Sequence, residues 1–217
     1  MRFTIMALGL TCIGSASMVE ARGLEYGPRI AISIPTQDAG KTLTSGVGYG
    51  LTATFMESPR RGFGVDIAYH RWPGSPDADR RLDALFSLFS DAPISGSRTT
   101  VSVVQATIHQ KIFAFEKGPV LPWMKVGAGV HRLNAKLELP IAALQASGVR
   151  VSKYGPDHIS HETGFQIGAG LDFAITAGTK LSLDGSYHLI ITKQEPFLTA
   201  FTIGACLLDR PRQATTE

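Results

Sequence analysis

Apolar and polar residues alternate along most of this chain. In the segment 164–175, GFQIGAGLDFAI, Phe165, Ile167 and Leu171 share one face, while Gln166 and Asp172 share the other. A period of two residues predicts a β-strand rather than a helix. The two faces differ so strongly in polarity that they are expected to contact different surroundings.

Seven further segments show the same alternation. They are 29–34 (RIAISI), 46–56 (GVGYGLTATFM), 62–71 (GFGVDIAYHR), 103–112 (VVQATIHQKI), 124–132 (MKVGAGVHR), 180–189 (KLSLDGSYHL) and 197–208 (FLTAFTIGACLL). After the N-terminal segment, no window holds 18 consecutive apolar residues, so the sequence predicts no membrane-spanning helix. The pattern predicts an all-β protein with eight strands.

The connections between these strands alternate in length. ESPRRG, FEKGPV and TAGT are short, whereas 72–96 and the connection from Leu133 to Ile159 are long. This alternation collects the short turns at one end of the sheet and the long connections at the other. It is typical of an antiparallel up-and-down meander closed into a barrel.

The composition of the two faces favours a membrane barrel over a soluble one. A soluble barrel puts its apolar residues inside, and a membrane barrel turns them toward lipid. Here the polar faces are rich in Gly, Ala, Ser and Thr, which suit the narrow interior of an eight-stranded barrel. Outward aromatic residues form two groups typical of interface girdles, namely Phe55, Phe63 and Phe173 beside the short turns and Tyr49, Tyr69 and Tyr187 toward the long connections.

The N-terminus predicts export. Residues 1–21 combine Arg2, an apolar stretch from Phe3 to about Ile13 and small residues before a cut after Ala21, as in a secretory signal peptide. The alternative, a short anchor helix, would need about 20 apolar residues. The expected organisation is a signal peptide at 1–21, a barrel at 22–209 and a short tail at 210–217. The mature chain then keeps only Cys206, which excludes an intramolecular disulfide.

The overall charge excludes one class of partner. The 217 residues are 44% hydrophobic and carry a net charge of +3, with no dense Lys/Arg run interleaved with aromatic residues. Nucleic acid is therefore not an expected partner.

Three segments resemble a known group of proteins. LPWMKVGAGV (121–130), GFQIGAGLDFAI and LSLDGSYHL (181–189) look like the fifth, sixth and seventh strands of the small outer-membrane barrels of Gram-negative bacteria, of the OmpA transmembrane domain, OmpW and opacity-protein type. The resemblance implies a transmembrane barrel with short periplasmic turns and longer extracellular loops. It also implies outer-membrane lipids and the barrel-assembly machinery as partners, although the last strand, TIGACLL, lacks the usual final aromatic residue.

In such a barrel the polar faces form an interior network. Its predicted ionisable members are Arg29, Asp66, His70, His109, Lys111, Lys125, His131, Asp172, Lys180, Asp184 and His188. An unpaired buried charge is costly, so Asp172 is expected to pair with an inward cation such as Lys125 or Lys180. The network is interpreted as a salt-bridged plug, with a proton or ion path as the alternative.

One segment carries candidate chemistry. In DHISHE (157–162), His158 and Ser160 have the spacing seen in outer-membrane lipid A deacylases, and Glu162 would orient the histidine. In those deacylases an asparagine follows the serine, whereas this chain has His161 at that position. Strand parity also turns His158, Ser160 and Glu162 toward the lumen rather than toward lipid. His158, His161 and Glu162 also offer metal ligands, but zinc needs a firmer set. We therefore expect no enzymatic activity, cofactor or metal.

Two of the long connections contain helical patterns. Ser75 and Pro76 begin one, which carries the apolar stripe Leu82, Leu85, Phe86 and Phe89, and Pro140 and Gly148 bound the other. The segments around Asp83 and Ala146 are expected on the cell surface. The primary functional hypothesis is a structural or surface-interaction protein that meets an extracellular ligand or host surface; the alternatives are a narrow channel for small apolar molecules or ions and the deacylase.

Overall fold

A computed structural model describes residues 23–88, 93–146, 158–176, 178–192 and 198–209. The strands are β1 (Leu24–Thr36), β2 (Gly46–Ser58), β3 (Arg61–Pro73), β4 (Arg98–Phe113), β5 (Val120–Glu138), β6 (His158–Ala174), β7 (Thr179–Ile191) and β8 (Leu198–Asp209). The helices are α1 (Ala39–Thr42), α2 (Pro76–Ser87) and α3 (Ile141–Ala146). The predicted signal peptide and C-terminal tail lie outside the described residues, as do Phe89 and Gly148.

The eight strands form one closed barrel in sequence order, and every pairing is antiparallel. This confirms the predicted up-and-down topology. β1 pairs with β8 from Tyr26↔Asp209 to Thr36↔Thr199, which closes the sheet. The three short turns therefore lie at the same end as the start of β1 and the end of β8, called here the turn end. The opposite end, which carries the helices, is called the loop end.

The strands β4, β5 and β6 extend further toward the loop end than the alternation predicted. The extra length consists of polar or weakly patterned residues that pair across the sheet, such as Ser102 with Asn134 and Thr100 with Lys136. Ladder hydrogen bonds need no contrast between the faces, so these parts of the strands leave no period-two signal. α1 was also not predicted, because four residues are too few for a helical pattern.

The exposed fractions of the side chains show which face of each strand points outward and which points into the lumen. Along β6, Phe165 and Ile167 are 54% and 51% exposed, whereas Gln166 and Asp172 are 3% and 1% exposed. Large apolar side chains are exposed in the same way on all eight strands and form a continuous outer belt. A barrel with an apolar outside and a polar inside is built for lipid. Among the described residues, no helix is long and apolar enough to cross a membrane.

Candidate functional site: the barrel interior and its loop-end rim

The structure places every predicted interior residue on the lumen side of its strand. Ten of these side chains are buried and Lys180 is half-buried; the buried set is Arg29, Asp66, His70, His109, Lys111, Lys125, His131, Asp172, Asp184 and His188. They do not line an open pore. They contact one another across the lumen in layers, which are described here from the turn end to the loop end.

Two ion pairs form the layer nearest the turn end. The Nζ atom of Lys111 donates to both carboxylate oxygens of Asp172, at 3.1 and 2.9 Å. Nε1 of Trp123 and Oγ of Ser182 also donate to Asp172, at 2.6 and 2.7 Å. Lys180 pairs with Glu25 at 2.7 Å. Asp172 is thus a fully bonded carboxylate, as a buried charge requires.

Asp172 thus pairs with an inward cation, as expected, but with neither of the two that were named as examples. Lys125 and Lys180 were proposed, but the partner is Lys111. Lys125 instead contacts Asp66, and Lys180 contacts Glu25. The charged side chains of these ion pairs reach the next strand but one rather than a direct neighbour in the sheet, so strand register alone does not specify the partner.

Two more ion pairs occupy the middle of the barrel. Arg29 pairs with Asp184 at 2.5 Å, and Lys125 pairs with Asp66 at 2.9 Å. Thr52 donates to Asp66 at 2.6 Å. The cavity that these side chains line measures about 30 Å³, which is room for about one water molecule.

Glu25 was missed by the sequence analysis. It lies ahead of the predicted first strand, which began at Arg29, whereas β1 begins at Leu24. The period-two alternation could have identified Glu25 as an interior residue, because Glu25 and Arg29 are four residues apart and so share the inward face of a strand.

Apolar side chains form a cluster toward each end of the lumen. At the turn end, Met56, Phe113 and Trp123 form one cluster. At the loop end the second cluster contains Leu43, Trp72, Val103, Ile190 and Ala200. We call these the turn-end plug and the loop-end plug. The loop-end plug thus covers the histidines, whereas the turn-end plug covers only one side of the lumen and leaves Lys180 partly exposed.

Three histidines lie between the middle ion pairs and the loop-end plug. His70 stacks on Trp72 with ring centroids 6.0 Å apart, and its ring lies 6.1 Å from that of His188. Nε2 of His188 lies 3.1 Å from Oγ1 of Thr202, and His131 is buried beside them. Across the residues that the structure describes, no group of three or more His, Cys, Asp or Glu side chains is arranged to hold a metal ion.

The segment with candidate chemistry lies at the start of β6. His158 is exposed, Ser160 is half-buried and Glu162 is buried toward the lumen. No hydrogen bond or ion pair joins any two of these three described side chains, so they do not form a nucleophile–base–acid relay in this structure. His161 faces outward, away from Glu162. Asp157 lies outside the described residues.

The glycines of the interior make room for its large side chains. A Cβ atom at Gly170 would lie 2.5 Å from Cζ2 of Trp123. Replacing Gly170 with Leu should therefore overpack the lumen and lower the free energy of unfolding by about 1–3 kcal/mol. Urea titration of the barrel in phospholipid vesicles measures this, and Ala169→Leu on the outward face should stay within about 0.5 kcal/mol of the parent. Equal losses from both substitutions would contradict the face assignment.

The β3–β4 connection forms an ordered structure on the loop-end rim. Oγ of Ser75 accepts from the N–H of Ala78 and caps α2, as predicted. The carboxylate of Asp83 accepts from the N–H groups of Gly96 and Ser97, at 3.1 and 2.9 Å. The nearby Ser97 hydroxyl, and after it these two N–H bonds, hold the pKa of Asp83 below its usual value. The connection is thus fixed to the rim by its own hydrogen bonds.

Comparison with known proteins agrees with this architecture. No protein-family model matches the chain, and no curated protein is similar to it in sequence. Among solved structures it is similar to Neisserial surface protein A, with 12% identity, a TM-score of 0.53 and coverage of 86% of this chain and 96% of that one. OprG of Pseudomonas aeruginosa is 13% identical, with a TM-score of 0.48 and coverage of 87% and 92%. Ail of Yersinia pestis is also 13% identical, with a TM-score of 0.45 and coverage of 87% and 97%.

At 12% identity, the likeness to Neisserial surface protein A establishes the fold and leaves activity open. The closed eight-stranded meander, the apolar outer belt and the polar interior together define the class of protein. The chain has the fold of the small eight-stranded outer-membrane β-barrels, as its sequence predicted.

Proposed function

We propose that this protein is a non-enzymatic outer-membrane barrel with a structural or surface-interaction role, exercised through its loop end on the cell exterior. The observation that carries this proposal is the contrast between the two parts of the molecule. The interior is occupied by ion pairs, with an apolar cluster toward each end, whereas the loop-end rim carries ordered and exposed structure.

The filled interior argues against transport through the lumen. Four ion pairs bridge the lumen, and the cavity beside them measures about 30 Å³. A permeant molecule would have to separate buried charges, which leaves each of them without its partner at a cost of several kcal/mol. Trp72 and Val103, 2% and 1% exposed, also block the loop-end opening.

The rim offers a surface for recognition. Leu85 of α2 and Leu88 at its C-cap are 49% and 78% exposed and lie above the barrel rather than in its lipid belt. The hydrogen bonds of Asp83 and the helix cap at Ser75 order this surface before any partner arrives. An ordered surface loses little conformational entropy on binding, which suits a contact role.

Planar-bilayer recordings test the closed interior. The folded protein should give no repeated conductance step above the leak of the bilayer, because the ion pairs and both plugs occupy the lumen. Folding is checked by the different gel mobility of unheated and boiled samples. Conductance steps of reproducible size from the folded fraction would favour the channel instead.

Cysteine labelling of intact cells tests the orientation. Outer-membrane barrels keep their short turns and termini in the periplasm, so Ala84→Cys on α2 and Ala146→Cys on α3 should react with a membrane-impermeant maleimide. Arg61→Cys at a short turn should not react. Ala84 is chosen over Asp83 because the Asp83 carboxylate holds the β3–β4 connection together.

The background for this test is Cys206→Ser, since Cys206 is a free, buried thiol. Arg61→Cys should become reactive once the outer membrane is permeabilised, which shows that the site is intact. Strong labelling of Arg61→Cys in intact cells would reverse the orientation and remove the loop-end rim as the exterior contact surface. The last loop, near Gln194, is expected to be exterior but poorly reachable, and Gln194 lies outside the described residues.

A further inference from the structure

Basic side chains cluster on the outer wall of the barrel directly beyond the lipid belt. On β3, Arg71 follows the outward Tyr69 by two residues, and on β5, Arg132 follows the outward Val130 by two residues. Lys136 continues the same face of β5. All three basic side chains are exposed. We call Arg71, Arg132 and Lys136 the wall patch.

The strand register brings these residues to one side of the barrel. Arg71 pairs with Ser102 of β4, and Ser102 pairs with Asn134 of β5, two residues beyond Arg132. Arg71 and Arg132 are therefore two strands apart, which is about 10 Å across the sheet and about 7 Å along it. Two arginine side chains bridge such a gap to a single headgroup that carries more than one phosphate.

These charges have no acidic partner in the part of the chain that the structure describes. No carboxylate there lies within ion-pair distance of Arg71, Arg132 or Lys136, whereas Lys41 of α1 and Arg80 of α2 are paired with Asp38 and Asp77. The nearest outward carboxylate on β5 is Glu138, which pairs in register with Arg98. His161 lies opposite Arg132 and adds a ring N–H donor. Glu162 points inward.

Within the described strands, these outward basic residues and His161 lie on β3–β6. On the other half of the wall, the described outward residues at the same end are apolar or uncharged, such as Ile34, Val47, Ile191 and Phe201. A charge pattern that served only solubility would follow the whole rim. A one-sided basic patch that continues an apolar belt instead matches a lipid, with acyl chains on the belt and anionic groups beside the arginines.

We propose that the wall patch binds the phosphate groups of an anionic glycolipid in the outer leaflet. Arg71 and Arg132 form charge-assisted hydrogen bonds with phosphates at the level of the headgroup, and Lys136 contacts anionic groups further from the bilayer. The exposed belt residues Val104 and Val130 pack on the acyl chains. The assignment to the outer leaflet rests on the proposed function, which places the loop end on the cell exterior. The phosphate site itself does not depend on that orientation.

Binding of fluorescent diphosphoryl lipid A to the refolded protein in neutral detergent micelles tests this inference. Arg71→Gln/Arg132→Gln/Lys136→Gln should weaken binding by roughly 30- to 100-fold, because each cation near the lipid charges contributes favourably. The matched control Lys41→Gln/Arg80→Gln/Arg81→Gln removes the same charge from the helices at the same end. It should bind within about twofold of the parent.

Two further arms identify the ligand. Dephosphorylated lipid A should bind weakly to every variant, and phosphatidylglycerol should bind less tightly than diphosphoryl lipid A because it carries one phosphate. Equal affinity of the wall-patch variant and the parent would overturn the inference. So would equal losses in the wall-patch and control variants, or equal binding of phosphatidylglycerol.

Folding of each variant is checked by its heat-dependent gel mobility. If the triple variant does not fold, Arg71→Gln and Arg132→Gln are measured singly. If both single variants bind lipid A as tightly as the parent, the inference is overturned. The micelle has no sidedness, so this assay is independent of the labelling of intact cells. A wrong orientation with intact binding would reject the proposed function and leave the phosphate site standing.

Discussion

Replacing Val126 with Arg should lower the free energy of unfolding by about 2–4 kcal/mol. Val126 is an outward residue of β5, is 50% exposed and lies opposite the outward Ile167 of β6, in the middle of the belt. A guanidinium at this position would be placed in hydrocarbon, where no water or counter-charge stabilises it. Reversible urea unfolding in phospholipid vesicles, followed by tryptophan fluorescence, measures the loss.

Two variants show that this cost depends on depth. Leu171→Arg introduces the same charge nearer the turn end of the belt and should cost less than Val126→Arg. Thr163→Arg lies on the outward face of β6 at the loop-end edge of the belt, opposite Val130, and should cost no more than about 1 kcal/mol. Similar stabilities for all three variants would mean that the outward face does not contact lipid.

Asp172→Ala should be the more damaging change in the interior, with an expected loss of about 3–5 kcal/mol. The substitution removes the counter-charge from the Lys111 ammonium, which is 5% exposed, and it leaves Nε1 of Trp123 and Oγ of Ser182 without their acceptor. Lys111 also lies over the rings of Phe113 and Trp123. The same urea titration measures the effect.

The control for this prediction is an exposed ion pair. Asp77→Ala breaks the ion pair with Arg80. The side chains of Arg80 and Asp77 are 75% and 74% exposed, so the substitution should change stability by less than about 1 kcal/mol. The double change Lys111→Met/Asp172→Leu should lose less than Asp172→Ala, because it leaves no buried charge alone. A double variant as unstable as the single one would show that packing rather than charge dominates this layer.

The architecture could be predicted from the sequence because period-two alternation and turn spacing are local signals. Within three residues of β6, the apolar Phe165 and Ile167 mark one face and the polar Gln166 marks the other. The choice of lipid outside followed from the small residues of the polar faces, of which Gly170 is an example, since it leaves space for Trp123. The exposed belt and buried charges of the structure agree with both inferences.

The pairing inside the barrel could not be predicted in the same way. Asp172 contacts Lys111, 61 residues away in the sequence, and no periodic pattern encodes a contact across the lumen. Trp72 was assigned to a connection because its neighbours Pro73 and Gly74 are typical of a turn, yet it is 2% exposed in the loop-end plug. Its burial depends on the inward parity that it shares with His70.

The lumen ion pairs also constrain how the barrel is assembled. Arg29 with Asp184 and Glu25 with Lys180 both join β1 to β7, across 155 residues of sequence. A growing sheet that already contained β1 but lacked the last strands would hold Arg29 and Glu25 without these partners. Releasing such a sheet into hydrocarbon would expose isolated charges to lipid. The same contacts that fill the finished lumen therefore favour release into the bilayer as a single late event, after the first and last strands have met.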